Sequence, residues 1–209
     1  MFLLVLTGPP RACSYSRGNK IARRAVYITA MTRLARFERG LLPHLDAAYN
    51  VARWLTGNDQ DAQDVVQDAF LRAYRFFDGL ESGNARAWLL AIVRNAAYSW
   101  IEKNRPSELV AMDDVPFAVA EAEAASPQAT GANPEVIVLQ SAQRKLVNAA
   151  LEEVPVVFRE VLVLRELEDL SYKEIAAIAG VPIGTVMSRL ARGRVLLRQS
   201  LEIRMRKAS

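Results

Sequence analysis

The chain has 209 residues, 51% of them hydrophobic and 24% charged, the balance of a folded soluble protein with room for one medium domain or two small ones. A single cysteine, Cys13, excludes an internal disulfide framework and a cysteine-based zinc site, and a single histidine, His44, removes most metal and acid–base schemes. The net charge of +4 is unevenly spread: residues 1–40 carry +7, residues 41–182 carry −9 and residues 183–209 carry +6, an acidic middle between basic ends that fits two kinds of partner.

In chain order, Met1–Leu6 is apolar but too short to span a membrane, and no basic region precedes it as in a signal peptide. Thr7–Lys20 mixes Gly, Pro, Ser and Arg without periodicity, so residues 1–30 read as a disordered extension. Met31 stands just before the first helical pattern and is a candidate true start. From Arg33 to Leu55 apolar residues recur at intervals of three and four, with Pro43 expected to open a helix that runs to Leu55. Gly57, Asn58 and Asp59 read as a turn, and Asp59 or Asp61 as the cap of a helix over 62–77 with Val65 or Val66, Ala69, Leu71 and Ala73 facing inward. After the polar loop Asp78–Asn84 comes a helix over 85–105. Residues 33–105 thus form a bundle of three or four helices.

Two features of this bundle exceed what packing asks for. Asp61, Asp64 and Asp68 share one helix face at i, i+3 and i+7, with Gln67 beside them. On the pattern alone, a solvated acidic helix start ranks first, a docking face for a basic protein second and a divalent-metal site last, because no second oxygen-bearing motif accompanies it. In the helix at 85–105, Trp88, Tyr98 and Trp100 alternate with Arg86, Arg94, Asn95, Lys103 and Arg105. Rings that stack and arginines that meet phosphates are how unpaired bases are held. Core packing is the simpler account of Trp100 and Ile101, while for Arg94, Asn95 and Ser99 the two accounts stand level.

Pro106–Asn133 is rich in Ala, Glu, Ser and Pro without a lasting period and reads as a flexible acidic linker. Helical patterning resumes over Pro134–Leu151, and Pro155 opens a helix over 156–167. Next, Ser171 and Glu174 have the spacing of a capping box, Gly180 that of a left-handed helix end, and Pro182 that of a first helical position. Val186, Leu190, Gly193 and Leu197 share an inward face, which leaves Thr185, Ser188, Arg189, Arg192 and Arg194 outward. Small Ala176 four residues before the turn glycine and Val186 six after it give the spacing of a DNA-binding helix-turn-helix. A plain helical hairpin with a solvated basic face accounts less well for the one-sided charge. That charge also supplies a phosphate-binding term. The expected fold is all-α: two small helical domains (31–105 and 134–209) joined by a flexible linker (106–133), with a C-terminal helix-turn-helix.

Two blocks of sequence carry a family resemblance. Residues 57–77, GNDQDAQDVVQDAFLRAYRFF, and 85–105, ARAWLLAIVRNAAYSWIEKNR, resemble the second conserved domain of bacterial sigma factors. Residues 151–198, from LEEVPVVFRE through SYKEIAAIAGVPIGTVMSRLARGR to VLLR, resemble their fourth. The order and the absence of the intervening third domain are similar to the extracytoplasmic-function (ECF) group. The resemblance implies that Asp61, Asp64, Gln67, Asp68 and Leu71 dock on RNA polymerase core, which moves docking ahead of the solvated helix start. It implies that Asn84, Trp88, Arg94, Asn95, Tyr98 and Ser99 recognise and melt the -10 element, and that Thr185, Ser188, Arg189, Arg192 and Arg194 read the -35 element. It further implies a cytoplasmic, non-enzymatic protein without metal or cofactor, whose partners are core polymerase, promoter DNA and, as for many ECF relatives, an anti-sigma protein. One departure is Met187, where many relatives carry Lys or Arg. Two rivals are a helix-turn-helix regulator with an N-terminal sensing or dimerisation domain, and a metal-dependent enzyme built on the three aspartates. The first leaves the acidic face and the Trp/Arg/Asn helix without purpose, and the second needs carboxylates from several segments.

Overall fold

The computed structural model describes residues 32–79, 84–107 and 134–208, with side chains of the last stretch described from residue 143 through 207. The expected disordered extension, the candidate start at Met31, most of the linker (108–133) and part of the polar loop (80–83) lie outside the described residues. The chain divides into a unit over 1–40, in which residues 32–40 are helical, and a unit over 41–209. Among the described residues every regular element is a helix.

In the second unit, Pro43 does not open the α-helix directly. Leu42–His44 forms a single 3-10 turn, and α1 (Leu45–Thr56) follows it. Gly57 ends α1 with φ 82°, and its N–H donates to the Arg53 carbonyl at 2.9 Å. A left-handed residue at that point favours glycine. The cap of α2 (Asp59–Phe76) is Asn58 rather than either aspartate. Its side-chain oxygen accepts from the Asp61 N–H at 2.9 Å, and Asp61 in turn holds the Asn58 amide. A residue in extended conformation with a short acceptor suits that position, and Asp59 and Asp61 fall at the first and third helical positions, where they favour the helix dipole. Both Val65 and Val66 are buried with Ala62, Ala69 and Ala73, whereas Leu71, expected in the core, is 48% exposed. A short 3-10 turn (Phe77–Gly79) follows, then α3 (Ala85–Asn104), capped by Asn84 through its Ala87 N–H. Leu89, Leu90, Val93, Ala96, Ala97 and Ile101 of α3 are buried. Helices α1, α2 and α3 pack against one another as a three-helix bundle.

The C-terminal half contains α4 (Pro134–Glu153), α5 (Val156–Leu162), α6 (Tyr172–Ala179) and α7 (Ile183–Ala208). All seven residues of α5 are buried, because α1 covers one side and α7 another. That explains apolar residues on every face of the helix, with Arg159 and Glu160 the buried exceptions. The expected α-helix over 156–167 instead widens to a π-type turn at Val163–Leu167, in which the Glu168 N–H donates to the Val163 carbonyl at 3.1 Å. Asp169 then takes φ 50°, a left-handed conformation that Asp tolerates better than most residues. Helices α4 and α5 both pack on α7. Ser200 and Arg204 of α7 hold the end of α4, both through Glu153, with Arg204 at 2.6 Å.

Candidate nucleic-acid interface

The helix-turn-helix forms from the local signals present in its sequence. Ser171 accepts from the Glu174 N–H, while the Glu174 carboxylate takes the Ser171 N–H at 2.9 Å and its hydroxyl at 2.7 Å, a complete capping box. The Ser171 hydroxyl is the first cause that holds the Glu174 carboxyl below its ordinary range, and its backbone N–H is the second. Gly180 adopts φ 66°, and the Ala176 carbonyl accepts from the N–H groups of Gly180 and Val181. The chain bends by 100° between α6 and α7, within the range of a DNA-reading pair. Val186, Leu190 and Gly193 face inward. The position a Cβ would take on Gly193 lies 3.0 Å from the Leu162 side chain and 3.2 Å from the Phe158 carbonyl, so glycine permits the close crossing of α7 over α5. Leu197 is only half-buried.

The five residues expected outward on α7 are all half-buried. Ser188 donates to the Thr185 carbonyl at 3.0 Å, as hydroxyls on helices commonly do. Arg194 pairs with Glu166 at 2.8 Å on the surface and so bridges α7 to the π-type turn. The exposed line along α7 runs through Gly184, Met187 (53% exposed), Ala191 and Arg198. Arg189 and Arg192 flank it.

On α2, Asp64, Gln67 and Leu71 are exposed together, with Asp68 half-buried beside them and paired with Arg72 at 2.7 Å. Asp61 is set apart by its part in the cap and by Arg105 at 4.0 Å. Among the described residues no group of three or more His, Cys, Asp or Glu side chains could hold a metal ion.

The residues expected to meet the -10 element divide into two sets. Asn95 and Ser99 are exposed on α3, and Trp88 is half-buried. Arg94, Tyr98 and Asn84 instead face the C-terminal half. The Arg94 Nε donates to Glu160 Oε1 at 2.7 Å, and the Tyr98 hydroxyl donates to Glu160 Oε2 at 2.6 Å. The guanidinium also lies 4.2 Å from the Tyr98 ring centre. The Asn84 amide donates to Glu174 at 2.6 Å. Nearby, Glu168 accepts from Arg86 at 2.6 Å and from Asn50 at 3.1 Å. The Glu160 side chain is wholly buried, and that of Glu168 is 5% exposed. Burial first, then the Glu160 carboxylate, drive the Tyr98 hydroxyl far above its ordinary value of 10.0. Glu160 and Glu168 are absent from the expected site. The available signal was the charged pair Arg159 and Glu160 amid the apolar residues of α5, since a fully buried carboxylate needs a partner.

Sigma-70 region 2 matches residues 42–106, and sigma-70 region 4 matches residues 144–197. The chain belongs to the sigma-70 family, in its ECF group. It is 36% identical over 158 residues to the ECF RNA polymerase sigma factor SigE of Mycolicibacterium smegmatis, a stretch that is 76% of this chain and 58% of that protein. It is 37% identical over 139 residues to the ECF RNA polymerase sigma-E factor of Escherichia coli, 64% of this chain and 70% of that one. Among solved structures it resembles the sigma factor RpoE in complex with the anti-sigma factor NepR from Bartonella quintana, with a TM-score of 0.59 and 31% identity over 80% of this chain and 98% of that one. The fold also resembles CnrH in complex with the cytosolic domain of CnrY, with a TM-score of 0.55 and 24% identity over 80% of this chain and 88% of that one. Among the described residues no single helix is long and apolar enough to cross a membrane.

Proposed function

We propose that this protein is a cytoplasmic sigma factor that binds RNA polymerase core and directs it to promoters carrying matched -10 and -35 elements. The observation that carries the reading is the presence, in order, of two sigma regions whose exposed residues suit different partners. On α2, Asp64, Gln67, Asp68 and Leu71 offer an acidic face with one apolar side chain, suited to a basic protein surface on core; Asp61 borders it. On α3, the bases of the -10 element would stack and hydrogen-bond on Trp88, Arg94, Asn95, Tyr98 and Ser99, with Asn84 at the helix start. A flipped base costs a few kcal/mol, offset by those contacts. Helix α7 would enter the major groove of the -35 element with Thr185, Ser188, Arg189 and Arg192, and Arg194 at the margin.

In this reading residues 31–105 serve core and the -10 element, residues 134–209 serve the -35 element, and residues 106–133 join them. The protein makes and breaks no bonds itself, since nucleotide addition belongs to the polymerase. An anti-sigma protein is proposed as a further partner, by likeness to the two complexed structures. A helix-turn-helix regulator with a sensing domain would leave the region 2 match unexplained. The test is a pair of variants. Asp64→Lys is expected to weaken core binding with the fold intact by circular dichroism, and wild-type affinity would count against the docking face. Arg192→Ala is expected to weaken -35 duplex binding by about tenfold or more, the scale of one phosphate or base contact.

A further inference from the structure

We propose that Met187, with Ile183 and Ala191 beside it, is a specificity-determining contact that selects thymine in the -35 element through its C5-methyl group, and that Gly184 admits the DNA closely enough for that contact to form. This inference rests on the -35 reading of α7.

Along the first turns of α7, from Ile183 to Ala191, the exposed residues are Ile183, Gly184, Met187 and Ala191. Ile183 is 46% exposed and Met187 53%. At i, i+1, i+4 and i+8 they share one face of the helix. That strip carries no side-chain hydrogen-bond donor. Its length is roughly 12 Å, the rise of three to four base pairs. The polar residues lie beside it: Thr185, Ser188, Arg189 and Arg192 are half-buried at its flanks, and the Ser188 hydroxyl donates to the Thr185 carbonyl at 3.0 Å. Arg198 continues the line and is exposed. Guanidinium groups in these places suit phosphates, which hold a helix in the groove without reading sequence. The strip between them is left to meet the base edges, as the N-terminal residues of a reading helix do. Amino and carbonyl groups of a base edge pressed against apolar side chains would lose water and gain no partner. The thymine methyl is the one apolar feature that a base pair shows in the major groove. A long, unbranched and polarisable methionine is well shaped to cover it.

Gly184 adds an independent observation. A Cβ at this position would meet no neighbouring heavy atom within 4 Å, and the backbone there is not left-handed. Packing therefore does not require glycine, although glycine weakens a helix relative to alanine. Gly193 differs, because α5 presses against it. A glycine that the fold does not need, on the exposed line of a reading helix, fits the close approach of a ligand's surface to the backbone.

The test uses holoenzyme assembled from purified core polymerase and the full chain. Duplexes are selected by binding from a random-sequence pool, and each thymine of the more upstream selected motif is then replaced by deoxyuridine, which removes the methyl group alone. In the parent, the replacement is expected to weaken binding about fourfold at one position or more, the scale of one buried methyl group. Met187→Ala, a change at an exposed site, is expected to bind the thymine duplex more weakly and to lose most of the deoxyuridine penalty at the position Met187 covers. Met187→Lys is expected to select guanine there instead, because its ammonium can donate to the guanine O6 and N7. Gly184→Ala is expected to leave the melting temperature unchanged or higher and yet to weaken duplex binding. An upstream motif without thymine, indifference to deoxyuridine at every position, or a penalty undiminished in Met187→Ala would overturn the methyl contact and leave the sigma reading standing. Undiminished duplex binding by Gly184→Ala would overturn the close approach. A holoenzyme that forms but selects no upstream motif would overturn the -35 reading of α7 itself.

Discussion

Single side chains decide how the two halves meet. Glu160 sits in a helix buried on every side, and its charge is matched by Arg94 at 2.7 Å and by the Tyr98 hydroxyl at 2.6 Å. Removing the guanidinium with Arg94→Ala leaves the carboxylate with the phenol alone. The fold is expected to lose roughly 3 kcal/mol, the scale for stripping one partner from a buried pair, read in chemical denaturation. Tyr98 offers a titration of the same contact. Its hydroxyl is raised above 10.0 by burial first and Glu160 second, so the folded chain favours the neutral phenol. The contribution of that hydroxyl is therefore whole below pH 10 and is lost as pH rises through its raised value. Tyr98 is expected to ionise late when followed by phenolate absorbance, and Glu160→Gln is expected to lower its value in part, since burial remains the larger cause; an unchanged late tyrosine would contradict the assignment. Glycine matters at Gly193 for a different reason. A methyl group there meets Leu162 at 3.0 Å and a fixed carbonyl at 3.2 Å, so Gly193→Ala is expected to destabilise the C-terminal half by about 1–3 kcal/mol in thermal melts.

At the level of elements, the helix-turn-helix was the most legible part of the sequence. Its signals are local: Ser171 and Glu174 close a capping box, and Gly180 takes a left-handed conformation, as their spacing implies. Ser171→Ala is expected to cost about 1 kcal/mol of stability and to let the Glu174 carboxyl return toward 4.5, visible by NMR titration. Because that carboxyl is held low, its contribution is present above pH 4.5 and is lost as pH falls through the lowered value. Elements whose form depends on distant packing were less legible. Leu71 fits the inward period of α2 by count, yet it lies outside the bundle, at 48% exposed. The α-helical period of residues 156–167 does not announce the π-type turn, which ends at Glu168, whose side chain is held by Asn50 and Arg86 from far back in the chain. Asn58 took the cap expected of its aspartate neighbours because the turn at Gly57 sets which residue is extended. Arg194 has an outward period but finds Glu166, a partner from the preceding turn.

For the whole molecule, the sequence revealed two sigma regions in order, but not how they pack. Long-range pairs such as Arg94 with Glu160 and Asn84 with Glu174 join residues far apart in the chain. No periodicity reports such pairs. The charge distribution gave only the outline, an acidic middle and basic ends. The residues proposed for DNA therefore include Ser99 and Asn95, exposed on α3 with Asn95 accepting from Arg94 at 3.2 Å, and Arg94, Tyr98 and the exposed Asn84, which hydrogen-bond to the C-terminal half. The most direct test of the sigma assignment is transcription by purified core polymerase with this protein on a fragment library from its own genome. New transcript starts that appear only with the protein, share upstream -10 and -35 motifs and vanish with Asp64→Lys are the predicted result. No new starts from the full chain, or from a form beginning at Met31, would contradict it.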